Sequence, residues 1–426
     1  MSAAPSETHR NEVIRQRIAV PFEYPVVFTR RVFDPENPSL LNVFTEREPQ
    51  RRHRVLVVMD AGFRAAWPEI PAAIERYFQR HAQSLELVAR PSEIPGGEAA
   101  KTDPGIIDGL HELFFQHRID RHSYVLILGG GAVIDAAGYA AATAHRGLRT
   151  VRMPTTVLGQ NDSGVGVKNG INAFGSKNFL GTFVPPFAVV SDALFLERLP
   201  RREAIAGLAE AIKVALIRDG GFFDWIEANA PALAACELDA LDWAIRRCAQ
   251  LHLQHIAQGG DPFEHGSARP LDFGHWAAHK LESLSHHEVR HGEAVGMGML
   301  LDSRYSLEAG LLAPAEFERI HRVLGVLGLP RWDDRLLLPE GREEGREEGR
   351  EEGREEGREE GREEGREEGR ERLAVLKGLQ DFREHLGGEL TVTLLRGIGR
   401  AVDVHEMNEA KLVSALEWMR MHRNEK

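Results

Sequence analysis

The stretch SYVLILGGGAVIDAAGYAAATAH, Ser123 to His145, decides the fold. Its first part is an unbroken apolar run stopped by Gly129, Gly130 and Gly131, which reads as a buried strand entering a tight turn. The remainder, AVIDAAGYAAATAH, reads as a helix. Strand, glycine turn and helix together are the opening of a βαβ unit. The same grammar extends outward. YPVVFTRRVF alternates as a strand, RVLVVMDAGF is a second buried strand ending in a turn, and LELVAR is a third. PSEIPGGEAAKT reads as a loop, GIIDGLHELFFQHR as a helix and RTVRMPTT as another strand. Strands alternate with helices to about residue 195, which predicts a parallel α/β sheet.

Beyond Pro200 the pattern changes. RREAIAGLAEAIKVALI, DALDWAIRRCAQLHLQHIA, HWAAHKLESL, GEAVGMGMLLDSRYSLEAG and NEAKLVSALEWMRMH all carry helical periodicity. The expected organisation is a polar arm over residues 1–20, a nucleotide-binding α/β domain over 21–195 and a mainly α-helical domain over 196–426. A low-complexity insertion, 341–372, interrupts the helical half. It begins with seven copies of Gly-Arg-Glu-Glu, residues 341–368. Each glycine costs roughly 1 kcal/mol of helix propensity, which the Arg–Glu pairs partly offset. A solvated, disordered or frayed-helical insertion is expected; a binding tract is the alternative.

The chain has 426 residues, 42% hydrophobic and 28% charged, with a formal charge of −12. Each repeat contributes −1, so seven of those charges belong to the tract and about five to everything else. A mildly acidic remainder without a basic stripe excludes a nucleic-acid partner. Cys236 and Cys248 lack CxxC spacing, so a reducing compartment is expected and no thiol chemistry. The N-terminal residues show no apolar signal-peptide core, and no run approaches eighteen apolar residues. No membrane partner and a cytoplasmic location are therefore expected.

Four constellations carry chemistry. Gly129, Gly130 and Gly131 let backbone amides approach a pyrophosphate at a helix N-terminus, and GGEAAK and MPTT add polar groups at strand ends. QNDSGVGVKNGINAFGSKN, residues 160–178, is glycine-rich with little regular periodicity. It reads as a long polar loop suited to phosphate and hydroxyl recognition. In GLAEAIKVALI, Glu210 and Lys213 share a helix face at i, i+3, and an exposed salt bridge is the alternative to a functional pair. LDFGHWAAHKLESLSHHEVRHGE, residues 271–293, places His275 and His279 at i, i+4, with His291 following a polar connection. Histidines with a carboxylate can make a catalytic zinc set, with a chance HxxxH spacing on a helix face the alternative; His286 and His287 read as solvent-facing.

In order and spacing, GGEAAK, GGGAVIDAAGYAAAT, HRG, PTT, GVGVK, SKN, LPRRE, GLAEAIK, DFGHWAAH and HGEAVGMGM resemble the dehydroquinate synthase superfamily, the sugar phosphate cyclases. The resemblance runs discontinuously from about Val55 to Gly399. It implies a dehydroquinate synthase-like fold, a Rossmann-like parallel α/β part followed by a helical metal-binding part. It further implies zinc, with cobalt a possible substitute, held by Glu210, His275 and His291. NAD contacts would be Asp60, Glu98, Lys101, Gly130, Gly131, Asp135, Thr155, Thr156, Lys168 and Lys177. Lys168, Asn178, Lys213 and His279 would hold the leaving phosphate, and Asp162 a substrate hydroxyl. Arg146 matches an arginine that reaches the neighbouring subunit's site, which implies a homodimer. The implied reaction is transient oxidation by NAD, phosphate elimination, re-reduction and aldol closure of a carbocycle, which makes the enzyme a carbon–oxygen lyase.

The sequence departs from dehydroquinate synthase proper where a substrate carboxylate would bind. LHLQHIA lacks the lysine, the arginine position falls at or beside Ala268 with Arg269 one place off, and Asp272 stands for an asparagine. A C-terminal lysine gives way to the region of Arg383 and His385. A carboxylate at residue 272 repels a substrate carboxylate, so a sugar phosphate lacking one, of the sedoheptulose type, is expected. Dehydroquinate synthase itself, an NAD-dependent metal polyol dehydrogenase of the same fold and a catalytically silent binding homologue are the alternatives.

Overall fold

The computed structural model describes residues 13–174, 176–259, 261, 263, 271–340, 372–385 and 388–423, without the side chain of residue 385. The repeat tract and Arg269 lie outside the described residues.

Strand β5, Tyr124–Gly129, is the centre of the sheet anticipated above. The other members are β1 (Val26–Thr29), β2 (His53–Asp60), β3 (Leu85–Leu87), β4 (Ser92–Ile94), β6 (Arg149–Pro154) and β9 (Ala188–Asp192). The order is β1-β9-β6-β5-β2-β3, with β4 also paired to β2, and every pairing is parallel. Alternate residues of β2 and β5 feed different cores. Val55, Val57, Tyr124, Leu126 and Leu128 join one, and Leu56, Val58, Val125 and Ile127 join the other. Both faces are thus covered, which is why these strands read as continuous apolar runs. Helices α1 (Ser39–Thr45), α2 (Ala61–Ala66), α3 (Ile70–Arg80), α4 (Ala99–Thr102), α5 (Pro104–Gln116) and α6 (Gly131–Thr143) belong to this part.

The part that follows is mainly helical. It holds α7 (Arg201–Arg218), α8 (Gly220–Ala228), α9 (Ala230–Ala234), α10 (Leu238–Gln258), α11 (His275–Leu284), α12 (His291–Glu308), α13 (Pro314–Leu327), α14 (Lys377–His385) and α15 (Glu409–Met421). Helix α7 is buried from Ala204 to Ile217, and α12 over most of its length. A helix buried all round is the centre of a core rather than its surface. An antiparallel pair, β10 (Val392–Leu395) and β11 (Ala401–Val404), completes this part and was not foreseen from the sequence.

Two segments read as loops are structured. PSEIPGGEAAKT contains β4 and α4. Residues 160–178 overlap a short π-helical segment, Gly159–Ser163, and an antiparallel hairpin of β7 (Lys168–Ala173) with β8 (Ser176–Phe183). Arg152 on β6 organises the second segment. It is fully buried and donates to the carbonyls of Gly166 (2.6 Å) and Lys168 (3.1 Å) and to Asn169 Oδ1 (2.7 Å). Tyr24 donates to the Val165 carbonyl at 2.8 Å. A buried guanidinium is tolerated only when acceptors surround it, so one distant charge fixes a backbone whose own side chains show no period.

Candidate active site

A cleft of about 810 Å³ opens beyond the carboxyl ends of β2, β5 and β6. At its floor β5 passes through Gly129 and Gly130 into α6. Gly130, the N-cap, is extended (φ −71°, ψ 176°), and Gly130 to Val133 line the cleft. A side chain at Gly131 would place its Cβ 2.6 Å from Ser163 Oγ. The turn therefore presents bare backbone and the positive end of a helix to whatever occupies the cleft.

The sheet-side groups are held by one another. Asp60 Oδ1 accepts from the Gly62 and Phe63 amides at 2.7 and 3.1 Å, capping α2. Lys101 Nζ lies 2.8 Å from Asp135 Oδ2 and also contacts Asn178 Oδ1. Burial raises the Asp135 pKa, with Lys101 opposing. Glu98 Oε1 accepts from Asn172 Nδ2 at 2.6 Å, and Thr156 Oγ1 from the Gly159 amide at 3.0 Å. Asp60, Glu98, Lys101, Gly130, Gly131, Asp135, Thr155, Thr156, Asp162, Lys177 and Asn178 all line this cleft. Lys168 starts β7 with an exposed side chain, and its charge contributes to lowering the Asp162 pKa.

On the helical side, α7 brings Glu210 and Lys213 inward, 1% and 3% exposed. The exposed salt-bridge reading of this pair is thereby excluded: the carboxylate and ammonium are in contact in the interior. Burial disfavours the Lys213 ammonium, but Glu210, Asp162 and Asp272 raise its pKa. His275 opens α11 and His291 opens α12, and their rings lie 5.5 Å apart. His279, exposed one turn along α11, lies 5.4 Å from the His275 ring and 6.2 Å from that of His291. His252 Nε2 on α10 lies 3.2 Å from Asp162 Oδ1. Burial lowers the His252 pKa. It works the other way on Asp162, where His252, Lys213 and Lys168 nevertheless hold the carboxyl below its usual range.

The donor set fits a metal ion. Glu210 Oε1 lies 3.8 Å from His275 Nε2 and 3.9 Å from His291 Nε2, too far for hydrogen bonds. Lys213 meets the buried Glu210 carboxylate at Oε2 only, which leaves buried Oε1 facing the two imidazoles without a hydrogen-bond partner among the described residues. A buried carboxylate oxygen in that state is costly unless a donor or cation completes it. The far ring nitrogens are anchored: His275 Nδ1 lies 3.1 Å from the Phe273 carbonyl and His291 Nδ1 3.2 Å from Glu282 Oε2. Each ring thus donates backward and offers Nε2 forward, as metal-ligating imidazoles do. His279, Glu282 and His291 form a second possible metal group among the described residues. It fits less well, because Glu282 is already engaged by Lys177 and by His291 Nδ1.

Close backbone packing sets this geometry. Gly274 precedes α11 at φ +78°, a conformation glycine adopts freely. A Cβ on Gly298 would lie 2.0 Å from the Gly274 carbonyl, so α12 touches the start of α11 directly. Asp302 on α12 accepts from the Gly274 amide (3.0 Å) and the Trp276 indole (2.9 Å), flanking His275.

Some anticipated residues lie elsewhere. Arg146 is exposed on the turn Ala144–Arg146 and is not among the residues lining this chain's cleft. Arg383 is exposed and donates to the Gly388 carbonyl at 2.7 Å. His385 ends α14. His286 and His287 form an exposed turn, with His287 at the cleft rim. Glu282, His252 and Asp302 were not singled out from the sequence. Only Glu282 carried a signal: with His275 and His279 it completes an i, i+4, i+7 stripe.

The comparisons agree with this architecture. Residues 92–206 match the family described as 3-dehydroquinate synthase N-terminal, and residues 207–342 the one described as 3-dehydroquinate synthase C-terminal. Together they cover more than half of the chain, which belongs to the dehydroquinate synthase superfamily of sugar phosphate cyclases. Among curated relatives, a 3-dehydroquinate synthase of Desulforamulus reducens is 42% identical over 250 residues, 58% of this chain and 69% of that protein. One from Bordetella pertussis is 42% identical over 239 residues, 56% of this chain and 66% of that protein. A 2-epi-5-epi-valiolone synthase from Streptomyces hygroscopicus subsp. jinggangensis, solved with NAD+ and Zn2+ bound, is similar over 96% of this chain and 100% of its own, at 28% identity and TM-score 0.78. A 2-deoxy-scyllo-inosose synthase, 19% identical with TM-score 0.68, shares the fold over 93% of this chain and 96% of its own. No helix among the described residues is long and apolar enough to cross a membrane.

Proposed function

We propose that this chain is an NAD- and zinc-dependent sugar phosphate cyclase, a carbon–oxygen lyase, acting on a sugar phosphate that lacks a carboxylate. The observation that carries the reading is buried Glu210 Oε1, without a hydrogen-bond partner, facing two imidazole Nε2 atoms while the Lys213 cation meets the other oxygen. Residues 21–195 form the nucleotide half and 196–426 the metal and substrate half. When bound, zinc would supply Lewis acidity to a substrate hydroxyl and NAD a hydride acceptor that returns its hydride within the cycle.

The remaining work falls to the chain. Glu210, His275 and His291 hold the metal. The backbone at Gly130 and Gly131, with Asp60, Glu98, Lys101, Asp135, Thr155, Thr156, Lys168 and Lys177, orients the nucleotide. Lys213, Lys168, Asn178 and His279 receive the phosphate, so that negative charge leaving the ring meets preset donors and cations. Asp162, kept ionised by its cationic neighbours, accepts a hydrogen bond from a ring hydroxyl. Exposed Arg146 is assigned to the site of a second copy in a homodimer.

Asp272 supports the substrate class. Its negative charge acts on Lys213 inside the site, and a like charge there disfavours a substrate that carries a carboxylate. The full-length likeness to a 2-epi-5-epi-valiolone synthase points the same way. The 42% identity to named 3-dehydroquinate synthases favours the second reading, dehydroquinate formation. Purified protein with zinc and NAD+ is expected to release phosphate from a sedoheptulose-type phosphate much faster than from deoxy-arabino-heptulosonate phosphate. The reverse preference would establish the second reading.

A further inference from the structure

Glu282 joins two parts of the site that the backbone keeps apart. It lies on α11, its side chain only 5% exposed. One oxygen, Oε1, is 2.8 Å from Lys177 Nζ, and the other, Oε2, is 3.2 Å from His291 Nδ1. Lys177 belongs to β8, a strand whose residues are almost all exposed. His291 opens α12 and turns its Nε2 toward Glu210. The hairpin is tied to the α4 region as well, by Asn172 to Glu98 at 2.6 Å and by Asn178 to Lys101. It therefore strides from the nucleotide-facing wall to the metal-facing helix.

We infer that Glu282 is a positioning residue for His291 and, through Lys177, couples the metal centre to the nucleotide-facing hairpin. The inference rests on the zinc- and NAD-dependent reading above. Accepting from Nδ1–H fixes the His291 tautomer and leaves the Nε2 lone pair for a metal; carboxylates in this place strengthen metal binding. Lys177 holds the same carboxylate from the other side. A ligand that immobilises the hairpin then lowers the cost of ordering Lys177, Glu282 and His291 together. Coupling of that kind is reciprocal, so nucleotide tightens metal and metal tightens nucleotide by one factor.

The test is chelator competition for zinc on the full-length protein, with and without saturating NAD+, for wild type, Glu282→Gln and Lys177→Met. NAD+ is expected to tighten zinc binding by wild type about fivefold or more. Glu282→Gln is expected to weaken zinc about 10- to 100-fold and to abolish the NAD+ effect. Lys177→Met, whose saturation by NAD+ is first verified by direct titration because Lys177 also orients the nucleotide, is expected to bind NAD+ yet lose its effect on zinc, with the nucleotide-free zinc Kd within about threefold of wild type. It carries the coupling test alone if Glu282→Gln fails to fold. An unchanged zinc Kd in Glu282→Gln, or an NAD+ effect that is absent from wild type or survives in either variant, overturns the inference. Wild-type protein that binds no zinc overturns the metal site instead, which keeps the two failures distinct.

Discussion

The two walls of the cleft are built on opposite plans. The metal-facing wall is helix against helix, with α7 and α12 buried through their lengths and α11 seated on α12 at a glycine contact. The nucleotide-facing wall is a set of strand ends, one helix N-terminus and a hairpin whose second strand lies almost wholly exposed. Metal ligands must be held to fractions of an ångström, which dense packing supplies. A large nucleotide has to enter and leave, and a strapped hairpin suits that better than a sealed core.

The largest effect expected from disturbing this contrast is at the metal-facing wall. His275→Ala should lose bound zinc and at least about 1,000-fold in phosphate release, several kcal/mol of lost charge stabilisation. Metal analysis beside the activity assay checks it, and zinc retained at full stoichiometry would refute the ligand assignment. Glycine substitutions come next. Gly298→Ala drives a Cβ to 2.0 Å from the Gly274 carbonyl, so a loss of about 3 kcal/mol is expected in denaturant unfolding. Gly97→Ala, on the other wall at φ +70° with no atom within 4 Å of the new Cβ, should cost only about 1 kcal/mol. Equal losses would erase the distinction between the walls.

A smaller effect concerns pH. Burial raises the Asp302 pKa to about 7, against hydrogen bonds from Trp276 and Gly274. Between about pH 4 and 7 the folded state then holds a proton that the unfolded chain has lost. Asp302's contribution to stability is full below about pH 4 and is lost as pH rises through about 7, by at most about 1.4 kcal/mol per unit. Relative to Asp302→Asn, wild type should lose stability across that window; a constant difference in unfolding free energy would contradict it. The smallest expected change is in selectivity. Asp272→Asn removes one repelling charge and should improve the ratio for deoxy-arabino-heptulosonate phosphate by about threefold to tenfold, roughly 1 kcal/mol. An unaltered ratio of kcat/KM values would remove Asp272 from the selectivity argument.

What the sequence made legible follows the same division. Apolar patterns announced β2, β5, β6, α7, α11 and α12: continuous runs where a strand is covered on both faces, and helical spacing or near-complete apolarity in the helices. The spacing of Glu210, His275 and His291 could be matched to a family, and the structure brings all three together. The β7–β8 hairpin escaped, because Arg152 on the preceding sheet strand and Tyr24, 141 residues from its partner, fix its approach through backbone carbonyls. His252 and Asp302 escaped as well. A polar residue within an apolar helix does not reveal which far element it meets, and their partners are Asp162 and the start of α11. Glu282 lay on the histidine stripe in plain view, but its role needs Lys177, 105 residues away.

The most direct measurement follows phosphate release and NADH absorbance together, with zinc, NAD+ and a sedoheptulose-type phosphate. One phosphate per carbocyclic product and no net NADH are expected, because the hydride returns before product leaves. NADH accumulating in step with substrate consumed, without phosphate release, would make the chain a dehydrogenase and contradict the cyclase reading.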